Sequence, residues 1–138
     1  MKHVSEAVGS GGRLGRVRST SGSYDHEVRI PGMKADGVTP EEMIAGAWVA
    51  CFGMTFIDAA RSAEVDATEV EYSAGVTLEA ANGTYTITKA TLTIDAPALD
   101  PDLVDELAER THQVCPVSKV LTEGVAKVEI YNAASQSA

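Results

Sequence analysis

A long stretch without charge in the middle of the chain constrains how it can fold. Residues 43–57 are 15 consecutive uncharged residues, apolar or small on every side. A helix without a polar face must be surrounded by protein. Its small residues also let another backbone approach closely: Ala45, Gly46, Ala47, Ala50 and Gly53. We therefore expect a central helix with a sheet on one side and another helix, from the same or a second subunit, on the other.

The residues just before this run mark where the helix starts. Thr39 supplies a capping hydroxyl, Pro40 stands at the first helical position and Glu42 at the third, which together form a capping box with the favoured proline. From there only two glycines interrupt the helical pattern up to about Ala63. The run of 15 uncharged residues is shorter than the roughly 20 that a membrane helix needs.

Strand patterns lie on both sides of this helix in the sequence. Residues 2–8 and 13–31 are expected to form short antiparallel strands joined by Gly- and Ser-rich turns. Over residues 69–78 apolar and polar residues alternate, and Asn82-Gly83 supplies a type I′ hairpin turn. In the return strand the apolar phase slips by one residue around Lys89, which predicts a β-bulge.

A second helix is expected after Asp100-Pro101, which repeats the pattern of a cap followed by proline. Cys115 lies at the C-terminal end of this helix, directly before Pro116, which ends or kinks the helix. Its apolar stripe at helical spacing consists of Leu103, Leu107, Thr111 and Val114.

The C-terminal part is expected to hold a short turn or helix over 117–122 and a final strand over 125–131, with a frayed tail over 133–138. Hairpins, rather than strand-helix-strand crossovers, connect the strands in this order of elements. The order favours an α+β fold in a single domain across residues 1–138, with antiparallel sheets packed around the central helix.

The charge distribution argues against some classes of partner. Eleven basic and 20 acidic residues give a net charge of −9, which disfavours nucleic acid and anionic membranes. Residues 1–36 differ, with six basic and four acidic residues. Residues 1–10 lack the apolar stretch of a signal peptide. We therefore expect a cytoplasmic protein, in which a purely structural disulfide is unusual.

The chain has two cysteines, Cys51 in the apolar helix and Cys115 before Pro116. Their wide separation excludes a C-x-x-C pair and a zinc knuckle. Cysteines on apolar helices are often plain core residues, whereas Cys115 lies at an irregular junction, where reactive groups become accessible. His112 shares a helical face with Cys115, but His112, Cys51 and Cys115 lack the spacing of metal ligands, so no metal is expected.

A reactive thiol must become a thiolate, and a mid-helix position gains little from the helix N-terminus. A buried cation is therefore needed beside Cys51. The basic N-terminal segment offers Arg13, Arg16 and Arg18, and arginine stays charged when desolvated. On a strand, Arg16 and Arg18 share a face, while Arg13 lies beside the glycine turn. The usual place of any one arginine is the solvated surface.

Three motifs together make a specific resemblance. Residues 39–52 read TPEEMIAGAWVACF, residues 114–121 read VCPVSKVL, and Gly12-Arg13 is followed by the turn at 19–22. These motifs resemble those of the OsmC/Ohr family, the osmotically inducible protein C and organic hydroperoxide resistance proteins, over nearly the whole chain. The valine after Pro116 looks closer to the OsmC branch, because tyrosine commonly follows the proline in the Ohr branch.

The resemblance implies an OsmC-like fold, an intertwined homodimer and a thiol-dependent peroxidase that reduces organic hydroperoxides without a metal or organic cofactor. Cys51 would be the peroxidatic cysteine and Cys115 the resolving one, through a Cys51 sulfenic acid and a Cys51–Cys115 disulfide. Arg13 would activate the thiolate and polarise the peroxide, with Glu41 holding the arginine. A small or protein dithiol would reduce the disulfide.

Glu41 and Cys51 are ten positions apart, roughly 15 Å along a straight helix, which is farther than one arginine comfortably bridges. Either the helix begins later or bends, or Glu41 acts across the dimer interface, and we expect the last. Glu41 also suits the first turn of a helix on electrostatic grounds alone.

Two functions remain open at this stage. Apolar residues near Cys51 would line a pocket for alkyl or lipid hydroperoxides, although core packing is their default role: Met43, Trp48, Phe52, Met54 and Phe56. The alternative to the enzyme is a non-catalytic domain of the same fold that binds a small apolar ligand or senses peroxide.

Overall fold

The computed structural model describes residues 1–125 and 127–135. They form two compact units, Met1–Ala50 with Glu71–Asp95, and Cys51–Val70 with the described part of Ala96–Ala138. The elements are β1 (Ala7–Ser10), β2 (Arg16–Ser19), β3 (Asp25–Glu27), α1 (Pro40–Ser62), β4 (Glu71–Ala81), β5 (Thr84–Asp95), α2 (Pro101–Val114) and α3 (Pro116–Glu123). Antiparallel sheets and helices give the predicted α+β class. A single domain over 1–138 stays a prediction.

The N-terminal residues form a three-stranded antiparallel sheet in the order β1-β2-β3. This confirms the predicted meander, with shifted bounds: Gly9 and Ser10, expected in a turn, belong to β1 and pair with Val17 and Arg16. A single 3-10 turn, Gly12–Leu14, connects β1 and β2. Arg13 therefore lies in a tight turn rather than in a strand.

Helix α1 starts where the capping box predicts. The Glu42 N–H donates a hydrogen bond of 3.1 Å to Thr39 Oγ1, and Pro40 is the first helical residue. The helix begins no later than expected, so a late start does not explain the separation of Glu41 from Cys51. By length and hydropathy alone α1 also qualifies as a membrane-spanning helix, a criterion that core helices meet as well.

Strands β4 and β5 form a hairpin with the predicted bulge. Asn82 and Gly83 at its tip have φ values of 54° and 76°, the left-handed conformation that a type I′ turn requires. Thr77 pairs with Lys89 but Leu78 pairs with Ile87, which leaves one extra residue in β5. The change of phase read from the sequence near Lys89 is therefore confirmed as a bulge.

The second unit has a core built from two helical stripes. Residues at i, i+4 and i+8 are buried on α1 (Phe52, Phe56 and Ala60) and at the end of α2 (Leu107, Thr111 and Cys115). Val114, expected in the α2 stripe, is 58% exposed instead. Cys115 takes its place because it follows Thr111 by four residues.

In the C-terminal segment, α3 confirms the short turn or helix expected over 117–122, whereas the strand expected after it is wrong for the described residues. Pro116 follows the end of α2, as expected, and is also the first residue of α3. Among the described residues 125 and 127–131 there is no strand, because none of them finds a ladder partner in the described chain. Residues 133–135 form a 3-10 turn, and the remaining positions of the expected frayed tail lie outside the described residues.

Candidate active site

Cys115 occupies the single extended residue between α2 and α3. Its φ and ψ are −65° and 119°, in the region that a residue before proline prefers. Its N–H donates to the Thr111 carbonyl at 2.8 Å, and its own carbonyl accepts the Lys119 N–H at 3.1 Å. The residue is fully buried. The Cys115 thiol is thus held in place at the junction of α2 and α3.

Cys51 lies on α1 and contacts this thiol. The two side chains interact through a hydrogen bond, and both cysteines are free thiols. Cys51 is partly exposed, whereas Cys115 is buried. The fold therefore brings together two thiols that are far apart in sequence, as a pair of redox cysteines requires.

The two thiols do not ionise equally. Burial is the largest effect and raises the pKa of Cys51. The Val117 N–H lowers this pKa, the neighbouring Cys115 raises it through a hydrogen bond and through its charge, and the Thr55 hydroxyl has the smallest effect and lowers it. Burial also tends to raise the pKa of Cys115, but hydrogen bonds from the backbone and hydroxyl of Ser118, from Cys51 and from the Val117 N–H lower it overall. In the reduced pair a single negative charge is therefore favoured on Cys115 over Cys51.

The start of α3 explains why the charge favours Cys115. The sulfur makes no capping hydrogen bond of standard geometry, yet the Val117 and Ser118 N–H groups and the Ser118 hydroxyl still act on it as donors. Free N–H groups in the first turn of a helix stabilise an anion. Ser118 itself is fully buried.

Two hydroxyl residues of this site were not singled out from the sequence. Thr55 donates to the Cys51 carbonyl at 3.0 Å and lowers the pKa of Cys51. Ser118 acts on Cys115. Sequence spacing offers a signal for both: Thr55 follows Cys51 by four residues on one helix face, and Cys115-Pro116-Val117-Ser118 places a hydroxyl at the third helical position.

Arg13 lies in the first unit, whereas the thiols belong to the second. It is exposed in the 3-10 turn and forms no ion pair with any described residue. Arg16, in contrast, donates to Asp25 Oδ1 at 2.7 Å. The Arg13 guanidinium is thus not committed to another carboxylate of the described chain.

Glu41 lines a cavity of about 410 Å³ in the first unit. One of its carboxylate oxygens, Oε2, is buried without a hydrogen-bond partner among the described residues. The neighbouring Glu42 instead pairs with Arg29 at 2.9 Å, and Arg29 also donates to the Gly37 carbonyl at 2.9 Å. An unpaired buried carboxylate oxygen is costly, so Glu41 has acceptor capacity to offer a further donor.

The apolar residues expected around Cys51 divide into two groups. Trp48, Phe52 and Phe56 are buried, as core residues are. Met54 is 66% exposed, and Met43 lines a cavity of about 510 Å³ in the first unit. Within residues 1–125 and 127–135, no group of three His, Cys, Asp or Glu side chains is arranged to hold a metal ion.

Comparison with known proteins extends these observations. Residues 33–130 match the family model described as OsmC-like protein. The organic hydroperoxide resistance protein OhrB of Bacillus subtilis is 29% identical over 132 residues, which is 92% of this chain and 95% of the relative. Peroxiredoxin OsmC of Escherichia coli is 32% identical over 100 residues, 71% of this chain and 68% of the relative. Relatives with both names match, so neither branch is singled out.

The fold is shared as well. The crystal structure of OhrB of Bacillus subtilis superposes with a TM-score of 0.80 at 26% identity, covering 89% of this chain and 93% of the other. This similarity confirms the fold that the sequence motifs predict.

Proposed function

The chain belongs to the OsmC-like protein family, and from that premise we propose that it is a thiol-dependent peroxidase that reduces organic hydroperoxides to alcohols. The observation that carries the proposal is the direct contact between the Cys51 and Cys115 side chains. Relatives named organic hydroperoxide resistance protein and peroxiredoxin OsmC support it.

The reaction begins at Cys51, the more exposed thiol of the pair. Its thiolate attacks the terminal oxygen of the peroxide, the O–O bond breaks, and the alkoxide leaves and takes up a proton to become the alcohol. Cys51 is then a sulfenic acid. The Cys115 thiolate attacks the Cys51 sulfur, hydroxide leaves as water after protonation, and a disulfide forms. A dithiol returns the disulfide to two thiols and is itself oxidised.

Arg13 is proposed to activate Cys51. Burial and Cys115 both raise the pKa of Cys51, so the thiolate needs a nearby cation to form near neutral pH. A guanidinium stays charged when desolvated and donates several hydrogen bonds, to the thiolate and to the leaving oxygen. Arg13 lies before the matched residues 33–130, and its role rests on the Gly12-Arg13 motif and on its uncommitted side chain.

Glu41 is proposed to hold that arginine. Its Oε2 atom is buried without a partner among the described residues, and a guanidinium would supply the missing donors. Glu41 lies in the first turn of α1, far along the helix from Cys51, so we expect it to hold the arginine across a subunit interface. The helix starts at Pro40, which supports this choice over a late helix start.

We expect the active form to be an intertwined homodimer without a metal or organic cofactor, located in the cytoplasm. Helix α1 supports the dimer, because Gly46, Ala50 and Met54 form an exposed stripe of apolar and small residues along it. Val128 and Ile130 in the C-terminal segment are 71% and 92% exposed. A second copy of the chain would cover such surfaces.

Peroxide consumption tests the function. Purified protein with a dithiol reductant should consume cumene hydroperoxide and tert-butyl hydroperoxide, and Cys51→Ser should abolish the reaction. The same assay on Ser62→Ala, an exposed residue at the end of α1, controls for handling of the variants. Absence of turnover in the wild type with either hydroperoxide would favour the non-catalytic alternative.

A further inference from the structure

The first turn of α3 surrounds the Cys115 sulfur with donors. Cys115 caps the helix, and Pro116, Val117 and Ser118 occupy its first three positions. The Ser118 side chain is fully buried, and its hydroxyl acts on the Cys115 sulfur together with its own N–H. A buried hydroxyl placed against a sulfur stabilises the charged form of that sulfur more than the neutral form.

The two cysteines also differ in their exposure to solvent. Cys115 has no exposed surface, whereas Cys51 is partly exposed. A thiol that approaches from solvent therefore reaches Cys51 and not Cys115. In thiol–disulfide exchange, the accessible sulfur is attacked and the sulfur with the lower pKa leaves faster.

We propose that Ser118 is a positioning residue that holds Cys115 as the leaving thiolate of the reductive step, so that the reductant forms its mixed disulfide on Cys51. This inference rests on the proposed function, since it concerns how the Cys51–Cys115 disulfide is returned to two thiols. The inference specifies which cysteine the reductant attacks and which one leaves, and the pairing of the cysteines alone does not specify this.

One thiolate of a dithiol attacks the Cys51 sulfur, a new S–S bond forms to Cys51, and the Cys51–Cys115 bond breaks with its electron pair on Cys115. The second thiol of the dithiol then attacks its own sulfur in the mixed disulfide and releases Cys51, which takes up a proton. The dithiol is oxidised by two electrons and the protein disulfide is reduced by two.

The surroundings of Cys115 leave Ser118 as the hydroxyl that acts on it. From α1 the titratable group in contact is Cys51. On α2 and α3 the nearest titratable residues in sequence, His112 and Lys119, are exposed. Thr111, one turn before Cys115 and equally buried, donates its hydroxyl to the Leu107 carbonyl at 2.7 Å and is not among the donors that lower the pKa of Cys115, so it provides a matched control.

The first experiment titrates Cys115 alone by thiolate absorbance in a Cys51→Ser background. Adding Ser118→Ala should raise the pKa of Cys115 by about one unit, a tenfold loss of thiolate below the midpoint. Adding Thr111→Val should leave it unchanged, because that hydroxyl does not act on the sulfur. An unchanged midpoint in the Ser118→Ala protein, or an equal rise in both variants, would overturn the inference.

The second experiment locates the mixed disulfide. The protein is oxidised with diamide, treated briefly with cysteamine, quenched in acid, alkylated and mapped by peptide mass spectrometry. We expect the cysteamine adduct on Cys51 and the alkylated thiol on Cys115, with reduction by dithiothreitol roughly threefold to fivefold slower in Ser118→Ala. An adduct on Cys115, or no slowing, would contradict the proposed direction.

Both experiments avoid hydroperoxide, so the two proposals can fail separately. If the wild type consumes no hydroperoxide but shows the expected pKa and adduct, the peroxidase function falls and the role of Ser118 stands. If peroxide is consumed while Ser118→Ala behaves as wild type in both tests, the role of Ser118 falls and the function stands.

Discussion

The Cys51 thiol on α1 is hydrogen-bonded to Cys115 at the junction of α2 and α3, and each residue alters the ionisation of the other. Cys115 raises the pKa of Cys51, while Cys51 lowers the pKa of Cys115. The pair thus holds one negative charge more readily than two. In the proposed mechanism, Cys51 therefore needs help from outside the pair to act as the nucleophile.

Removing Cys115 should make Cys51 more acidic. Cys115→Ala takes away a hydrogen bond and a charge interaction that both raise the pKa of Cys51, so the pH profile of Cys51 alkylation by iodoacetamide should move to lower pH. Thr55→Val should move it to higher pH, because the Thr55 hydroxyl lowers this pKa. Shifts of the same sign in both variants would refute the assignment of these effects.

Removing the thiol of Cys115 should also trap the first oxidation product. After one equivalent of cumene hydroperoxide, Cys115→Ser should accumulate sulfenic acid on Cys51, because no second thiol is in contact to condense with it. A dimedone adduct mapped by mass spectrometry reports the sulfenic acid, and the wild type should show a Cys51–Cys115 disulfide instead. Wild-type protein that accumulates sulfenic acid to the same extent would contradict the resolving role.

Arg13→Gln should slow the oxidation of Cys51 by hydroperoxide about 100-fold, the usual cost of losing one stabilising donor in a transition state. Single-turnover kinetics at limiting peroxide measure this step without the reductant. Arg18→Gln is the matched control, since Arg18 is also exposed and forms no ion pair with the described residues. Equal rates for the two variants would remove Arg13 from the mechanism.

The cap of α1 should contribute measurably to stability. Thr39 is buried and its Oγ1 accepts the Glu42 N–H at 3.1 Å, so Thr39→Ala should lower the free energy of unfolding by about 1 kcal/mol. Thr39→Ser keeps the hydroxyl and should lose much less. Urea denaturation monitored by the fluorescence of Trp48 gives both values, and identical losses would show that the hydroxyl is not the cause.

Local signals in the sequence predicted most of the fold. Thr39 and Pro40 fixed the start of α1 because a cap depends on adjacent residues alone, and Asn82-Gly83 located the hairpin for the same reason. The expected strand over 125–131 was wrong for residues 125 and 127–131. Alternation shows that a segment is able to pair, but pairing also needs a partner edge, and sequence periodicity does not provide one.

For the two cysteines, the sequence led us to expect their proximity but not the distribution of charge between them. The motifs around Cys51 and Cys115 paired two distant thiols through a resemblance, and their contact agrees with that pairing. The lower pKa of Cys115 was not foreseen. It depends on the direction of the α3 N–H groups and on the buried Ser118 hydroxyl, which are properties of three-dimensional packing.

The bulge in β5 has a consequence for the outer half of the hairpin. With one residue left over beside Lys89, Ile87 and Tyr85 pair with Leu78 and Ala80, so they share a face with Val76 and Ala90 across both strands. If Thr88 were instead paired in a regular ladder, Ile87 and Tyr85 would turn to the side opposite Ala90, because an odd number of positions separates each of them from Ala90. Thr88, which has no cross-strand partner, thereby keeps one side of the hairpin apolar from its base to its tip.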